Sequence, residues 1–262
     1  MKRRDLFRLG VTGAAGGVAG FAAGEPYGRR REAHGLRPHR VPGTPEYEFQ
    51  RRAAEVIWLQ ERQTAETVRA LKAKFESPIL GRFRVWDLLE KLALCVDPSD
   101  TNLGCTSQYM HVNQILAAME RDGALDDDLL LTALLHDLGK VAMLQGEAPE
   151  HVVCFTKPVE ACEPGAGLDQ ALFRFGHDEI AYTRFKDLVP EHVAWMIRNH
   201  SMVLGECEPL MSAQDREYER QYLSRFRAYD LGFKSKAFLP AQPTLDRFRA
   251  FVERWFPQPI LF

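Results

Sequence analysis

The chain has 262 residues, of which 45% are hydrophobic, and this is enough for one domain with a sizeable buried core. Its formal net charge is −2, so there is no electrostatic case for a nucleic-acid partner. The five cysteines include no C-x-x-C pair, which argues against a zinc ribbon or a disulfide framework. Cys154 and Cys162 could still form a disulfide in an oxidising compartment.

The first residues form a leader in which Arg3 and Arg4 precede an apolar, glycine- and alanine-rich run that ends near Ala23. The run is too short for a stable membrane span. The leader resembles a twin-arginine signal, which predicts that the twin-arginine export machinery carries the protein to the periplasm of a bacterium. The alternative is a cytoplasmic protein with a basic N-terminus. We assign residues 1–24 to the signal segment and 25–45 to a linker rich in proline, glycine and arginine.

Residues 46–262 show helical periodicity without a clear alternating strand pattern, which predicts an all-α domain. The spacing of apolar residues predicts one or two helices over 46–75. It predicts further helices over 85–95, 109–121, 126–136, 171–187, 190–200, 215–230 and 244–256. Gly139 is expected to let the chain turn, and Pro190 suits the first turn of its helix. The irregular segment 145–169 is a candidate lid or pocket wall.

Polar residues with metal-binding side chains interrupt the apolar faces of these helices. They are His111, His136, Asp137, His177, His200 and Asp230. His136 shares a stripe with Leu129 and Ala133, at i, i+4 and i+7, so it is expected to face the core. A lone buried histidine usually bonds a carbonyl, but donors on four helices together predict a dinuclear site inside a helical bundle. Imidazole and carboxylate ligands suit iron, manganese or zinc.

The motifs around these donors resemble those of myo-inositol oxygenase, a di-iron family of the HD-domain superfamily. The likeness runs from about Gln63 to the C-terminus. It includes Val96-Asp97-x-Ser99-Asp100, His136-Asp137-Leu-Gly-Lys140, Gly167-Leu-Asp169, Gly176-His177-Asp178-Glu179, Met196-Ile-Arg-x-His200-Ser201 and Asp230-Leu-x-x-Lys234. The resemblance implies an HD-domain helical bundle over 46–262, with the dinuclear site in its core.

The resemblance also implies which residues bind each metal. His111, His136, Asp137 and Asp230 would hold one iron, and Asp137 would bridge to a second iron held by His177 and His200. In the family, a mixed-valent Fe(II)/Fe(III) pair uses O2 as co-substrate and cleaves the ring of myo-inositol to give D-glucuronate.

The same resemblance implies roles for residues next to the ligands. Lys140 and Lys234 would be catalytic residues that contact the substrate and stabilise a developing oxyanion or move a proton. Asp97, Asp100 and Ser201 would bind substrate hydroxyls or support the ligands. We expect a monomer that acts on a small-molecule polyol.

Two departures from the family bear on the substrate. The segment between Lys140 and His177 is shorter than in the family, and Cys154-Phe155 replaces a Gly-Asp pair that contacts inositol. Loss of a carboxylate that accepts hydroxyl hydrogen bonds is expected to weaken recognition of a fully hydroxylated ring, so the substrate could be a related cyclic polyol. The alternative functions are a metal-dependent HD-domain phosphohydrolase and a non-catalytic, metal-stabilised polyol-binding protein.

Overall fold

The computed structural model describes residues 42–153, 155–235 and 244–262, and two capped helices begin the first of these ranges. Helix α1 spans Pro45–Gln60 and helix α2 spans Ala65–Glu76. The side chains of Thr44 and Thr64 accept backbone N–H bonds at the two N-termini, which explains where each helix starts. The prediction of helices over 46–75 is therefore confirmed, with α1 beginning at the last residue assigned to the linker.

Three further helices follow along the chain. They are α3 over Val85–Lys91, α4 over Gln108–Asp122 and α5 over Asp127–Leu135. Asp126 caps α5 by accepting the backbone N–H of Leu129, and its carboxylate also suits the positive end of the helix. Short 3-10 helices fill the connections that follow α3 and α5, at Leu92–Leu94, Leu138–Gln145 and Pro149–His151.

The predicted helix over 171–187 is wrong in its first part. Leu172–Phe173 forms a short strand, β3, which pairs antiparallel with β2 at Pro158–Glu160, and helix α6 begins only at His177. The backbone before α6 bonds to distant segments, since the Phe175 N–H donates to Gln63 Oε1. Such tertiary contacts hold this segment extended, and local periodicity does not reveal them.

The C-terminal half is again helical. It contains α6 at His177–Phe185, α7 at Glu191–Asn199, α8 at Leu204–Cys207, α9 at Ala213–Tyr218, α10 at Ser224–Gly232 and α11 at Arg249–Trp255. One π-helical turn, Glu219–Leu223, joins α9 to α10, and 3-10 helices occupy Leu168–Gln170, Glu208–Leu210 and Leu245–Phe248. Pro190 is extended and lies just before α7, so its predicted place inside the first turn is wrong by one residue.

Apart from β2 and β3, the strands in the described residues are β1 at Arg82–Phe83 and its antiparallel partner β4 at Ile260–Leu261. The rest of the described chain is dominated by helices, so the all-α prediction is confirmed. Every residue from Leu129 to Leu135 in α5 is buried. This helix therefore runs through the core and ends at the site. Within the described residues, no helix is both long and apolar enough to cross a membrane.

Gly139 has a different role from the predicted turn. A Cβ atom at this position would lie 2.1 Å from the carbonyl oxygen of His177, and its φ is not in the left-handed region. The residue must be small because the backbone of α6 packs directly against it. The turn prediction was wrong, and close approach of two backbones is the reason for the glycine.

Candidate metal centre

The six predicted metal ligands lie together in the core, each at most 3% exposed. Among the described residues, two groups of potential ligand atoms share Asp137, and within each group the atoms lie within 4.8 Å of one another. One group contains His111 and His136, and the other contains His177 and His200. The structure thus brings all six side chains to one place, including Asp230 beside His111.

The ends of helices supply most of these side chains. His136 follows the last residue of α5, and His200 follows the last residue of α7. His177 is the first residue of α6, where glycines allow close packing: a Cβ on Gly176 would lie 2.7 Å from the carbonyl oxygen of Val153. These three histidines therefore lie at buried ends of helices that pack closely against each other.

Backbone carbonyls orient three of the four histidines. The Nδ1–H groups of His136, His177 and His200 donate to the carbonyl oxygens of Ala133, Val152 and Ile197, at 3.0, 2.7 and 2.8 Å. A neutral imidazole that donates through Nδ1 carries its lone pair on Nε2. All three Nε2 atoms are therefore set up to bind a metal.

These lone pairs face other hydrogen-bond acceptors. The Nε2 atoms of His177 and His200 are 3.3 Å apart, and neither carries a proton in this tautomer. His136 Nε2 lies 3.4 Å from Asp137 Oδ2, and neither atom makes a hydrogen bond with any described residue. Acceptors facing acceptors in the protein interior are costly unless a cation lies between them. The residues present therefore fit a metal pair.

The carboxylates connect the two groups of ligands. Asp137 Oδ1 lies 3.0 Å from His177 Nε2, while Oδ2 of the same residue faces His136. Asp230 Oδ1 lies 2.9 Å from His111 Nε2. Two ligand atoms that would each lie about 2.1 Å from one ion are about 3.0–3.4 Å apart for angles of about 90–109°, and the distances here lie at the short end of that range. Asp137 is therefore placed to bridge two ions.

Both carboxyls are ionised despite their burial. Burial alone would raise the pKa of Asp137, but Lys140 and the neighbouring histidines lower it well below its usual range. Burial also acts to raise the pKa of Asp230, and Lys234 together with His111 lowers it. In contrast, burial lowers the pKa of His200 to about 4, which keeps this imidazole neutral near neutral pH. The protonation states are those that metal ligands need.

Comparison with known proteins agrees with this geometry. The family model described as Myo-inositol oxygenase matches residues 55–163 and 154–262. The chain belongs to the myo-inositol oxygenase family. It is 28% identical to "Inositol oxygenase 4" of Arabidopsis thaliana over an alignment of 253 positions, which covers 81% of this chain and 79% of the relative. It is 26% identical to "Inositol oxygenase" of Bos taurus, covering 74% of this chain and 81% of the relative, and 28% identical to that of Homo sapiens, covering 73% and 78%.

The two lysines suggested by the likeness to the myo-inositol oxygenase family lie against the ligand carboxylates. Lys140 is only 2% exposed, and its Nζ lies 2.9 Å from Asp137 Oδ1 and 3.1 Å from Asp97 Oδ2. Lys234 Nζ lies 3.0 Å from Asp100 Oδ2 and 3.5 Å from Asp230 Oδ1. Burial acts to lower the pKa of Lys234, but Asp230 and Asp100 raise it above its usual value. Each lysine therefore links one predicted ligand to one predicted substrate-binding carboxylate.

Local hydrogen bonds hold these two carboxylates in place. Asp97 Oδ1 accepts from the backbone N–H and the hydroxyl of Ser99, at 2.8 and 2.6 Å. Asp100 Oδ1 accepts from the backbone N–H groups of Asn102 and Leu103, both at 3.1 Å. The Asp97-x-Ser99-Asp100 motif is thus a rigid turn that presents both carboxylates to the lysines.

Ser201 lies at the other side of the centre and contacts a different group. Its hydroxyl donates to Asp178 Oδ2. Asp178 and Gln108 also contact these residues, although the sequence patterns predicted no role for either of them: Gln108 Oε1 accepts from Lys140 Nζ at 2.9 Å. The available signals were local: Asp178 follows His177 directly, and Gln108 precedes His111 by three residues on the same helix face.

Proposed function

We propose that this chain is a di-iron oxygenase that uses O2 to oxidise and ring-cleave a cyclic polyol, with myo-inositol as the leading substrate and D-glucuronate as the product. The observation that supports this most is the arrangement of unprotonated Nε2 atoms around the shared carboxylate of Asp137. The choice of reaction follows from membership of the myo-inositol oxygenase family, because the relatives reported above are named inositol oxygenases.

The six ligands would hold two iron ions, which we propose to be a mixed-valent Fe(II)/Fe(III) pair in the active form. When bound, such a pair supplies electrons for O2 and a Lewis acid that lowers the pKa of a substrate hydroxyl. The protein would contribute a buried setting, in which the ring of Phe226 packs edge-on against His136 at a centroid distance of 5.2 Å. Exclusion of water strengthens the charge interactions inside the site.

Lys140, Lys234 and the carboxylates of Asp97 and Asp100 would bind the substrate and stabilise charge that develops on it. A buried ammonium such as that of Lys140 stabilises a nearby alkoxide without rearranging as the charge develops. Asp97 and Asp100 each retain oxygen lone pairs beyond those used by their present donors, so they can accept bonds from substrate hydroxyls. Ser201 could donate to the substrate only if its hydroxyl leaves Asp178. The substrate preference also depends on Cys154-Phe155, of which Cys154 lies outside the described residues.

The decisive experiment is a turnover assay on protein purified without oxygen and loaded with ferrous iron. Addition of myo-inositol and O2 should give oxygen uptake with formation of D-glucuronate. His111→Ala and Asp230→Ala should bind less iron and lose activity, because each removes one ligand. Oxygen uptake with a different polyol, but not with myo-inositol, would support the proposed oxygenase reaction and show that the substrate is another polyol. Phosphate release from a phosphate ester without oxygen uptake would instead support the phosphohydrolase alternative, and iron binding without turnover the binding-protein alternative.

We further propose that the leader directs export to the periplasm, and that the catalytic domain is monomeric. The support for export is the Arg3-Arg4 pair ahead of an apolar run, and both the leader and most of the linker lie outside the described residues. Replacing both arginines by lysine should keep the protein in the cytoplasm of the host, as measured by cell fractionation. The matched control replaces Arg30 and Arg31 by lysine, and it should leave export unchanged.

A further inference from the structure

Gln108 is a fully buried amide that lies beside a predicted substrate-binding lysine. It is the first residue of α4, one turn before His111, and it is 0% exposed. Its backbone N–H donates to the carbonyl oxygen of Cys95 at 2.8 Å, which ties the start of this helix to the segment that carries Asp97. Gln108 is therefore held in a fixed position between a predicted ligand and a predicted substrate-binding carboxylate.

The ammonium of Lys140 determines which way the amide of Gln108 is turned. An ammonium only donates hydrogen bonds, so the amide atom that lies 2.9 Å from Lys140 Nζ must be the oxygen, Oε1. Asp97 Oδ2 and Asp137 Oδ1 lie 3.1 and 2.9 Å from the same nitrogen. Gln108 is thus the neutral acceptor of three around this ammonium, and its amide nitrogen must point away from Lys140.

This amide nitrogen, Nε2, makes no hydrogen bond with any described residue. The buried amide of Asn113, on the same helix, differs in this respect. Its Nδ2 donates to the carbonyl oxygen of Tyr109 and its Oδ1 accepts from the N–H of Leu245, both at 2.8 Å. A buried amide donor without an acceptor is costly. Next to the ammonium of Lys140, this donor favours a ligand that brings an oxygen into the site.

We propose that Gln108 is a further substrate-binding residue, which holds the ammonium of Lys140 through Oε1 and donates from Nε2 to a ring hydroxyl of the polyol. This inference rests on the proposed function, because it requires a polyol next to Lys140. Asp97, whose carboxylate pairs with the same ammonium, can only accept hydrogen bonds. A donor and an acceptor beside one ammonium suit two hydroxyls of the same ring, of which one accepts and the other donates.

The test compares two substitutions at Gln108 with a matched control in the full chain. Gln108→Met removes both polar groups of the amide, whereas Gln108→Glu keeps an oxygen for Lys140 and loses the N–H groups. The control is Asn113→Leu, because the amide of Asn113 bonds only to backbone groups among the described residues. Protein loaded with ferrous iron without oxygen is titrated with myo-inositol in a calorimeter, and its iron is counted by elemental analysis.

Both Gln108 variants should keep the iron content of the wild-type chain and bind myo-inositol about tenfold more weakly. Asn113→Leu should unfold more easily in urea but bind myo-inositol with the affinity of the wild-type chain. Unchanged affinity in Gln108→Met would overturn the assignment. So would unchanged affinity in Gln108→Glu, because the amide nitrogen would then have no part in binding.

A series of monodeoxy-inositols identifies the hydroxyl that accepts from Gln108. For one analogue, the loss of affinity relative to myo-inositol should be about tenfold larger in the wild-type chain than in Gln108→Met, because the variant has no donor to lose at that hydroxyl. A Gln108→Met chain that weakens every analogue and myo-inositol by the same factor would contradict a direct contact. A wild-type chain that binds iron but no polyol would refute the proposed function, and this inference with it.

Discussion

Three backbone carbonyls fix the orientation and the Nδ1-protonated tautomer of three buried histidines. Two of them belong to residues three positions earlier, as in His136 with Ala133 and His200 with Ile197, at helix ends where carbonyls have no partner in the helix. The third bond, from His177 to Val152, joins distant segments. Fixing the proton on Nδ1 gives each imidazole a defined ligand atom. Burial of one of them, His200, lowers its pKa to about 4, and this has a cost in stability on acidification.

We predict that the metal-free protein loses stability as the pH falls from 6.5 toward about 4. Burial depresses the pKa of His200 in the folded chain, so the unfolded chain binds the proton first and is favoured on acidification. The loss from this residue is about 3 kcal/mol, measured as the free energy of unfolding in urea across that pH range. His200→Gln should reduce this pH dependence, and burial of His111, which also lowers the pKa of that imidazole, accounts for part of what remains. Equal pH dependence in wild type and His200→Gln would contradict the prediction.

The buried lysine can be tested in the same way. Lys140→Met should destabilise the metal-free protein by about 3 kcal/mol, because Asp97 and Asp137 then lose their shared cation inside the core. Urea unfolding measures the change. The double variant Lys140→Met with Asp97→Asn should recover part of the loss, since it removes one of the two stranded charges. Full additivity of the two substitutions would show that the ion pair has no such role.

At the scale of elements, the candidate site depends on how closely α6 approaches the segment after α5. The backbone of His177 packs against Gly139, which leaves no space for a side chain. The distance between His177 and Asp137 is set by this contact, and the two residues share the candidate second ion. The His-Asp-Leu-Gly-Lys sequence thus contains two predicted ligands, His136 and Asp137. It also contains Gly139, whose lack of a side chain lets a third predicted ligand, His177, come close.

Gly139→Ala should therefore affect both stability and iron binding. The added Cβ would overlap the carbonyl of His177, so α6 must move, and we expect a loss of about 3 kcal/mol in urea unfolding together with reduced iron content. The control is Gly205→Ala, where a Cβ meets no described atom within 4 Å and the change should be neutral or slightly stabilising. Normal iron content in Gly139→Ala would show that the contact does not position His177.

At the scale of the whole molecule, the predicted ligands span residues 111 to 230 and converge only in the folded chain. Metal binding and folding are therefore linked, because the unfolded chain offers no comparable site. Removal of iron should lower the thermal unfolding midpoint by about 5–10 °C when the metal was about a hundredfold above its dissociation constant. Scanning calorimetry with and without a chelator measures the shift. Asp137→Ala, which removes the shared ligand, should show little response to iron.

Much of this protein follows from local sequence patterns. The all-α class and most helix limits were confirmed, since helix periodicity and caps such as Asp126 depend on residues only a few positions apart. The same local geometry explains why His136 and His200 are buried: each continues the apolar stripe of its helix. The likeness to the myo-inositol oxygenase family was confirmed by the match over 55–163 and 154–262, whereas the assigned roles of the individual residues remain predictions.

Only the tertiary structure decided which atoms face each other. The strand at Leu172–Phe173, the packing of Gly139 on α6 and the position of Asp178 all result from contacts between segments that are distant in sequence. Periodicity shows which side of a helix is buried, but it carries no information on the distance to another helix. The chain alone therefore supplied the candidate ligands, and packing at the helix ends set the distances of about 3 Å between their donor atoms.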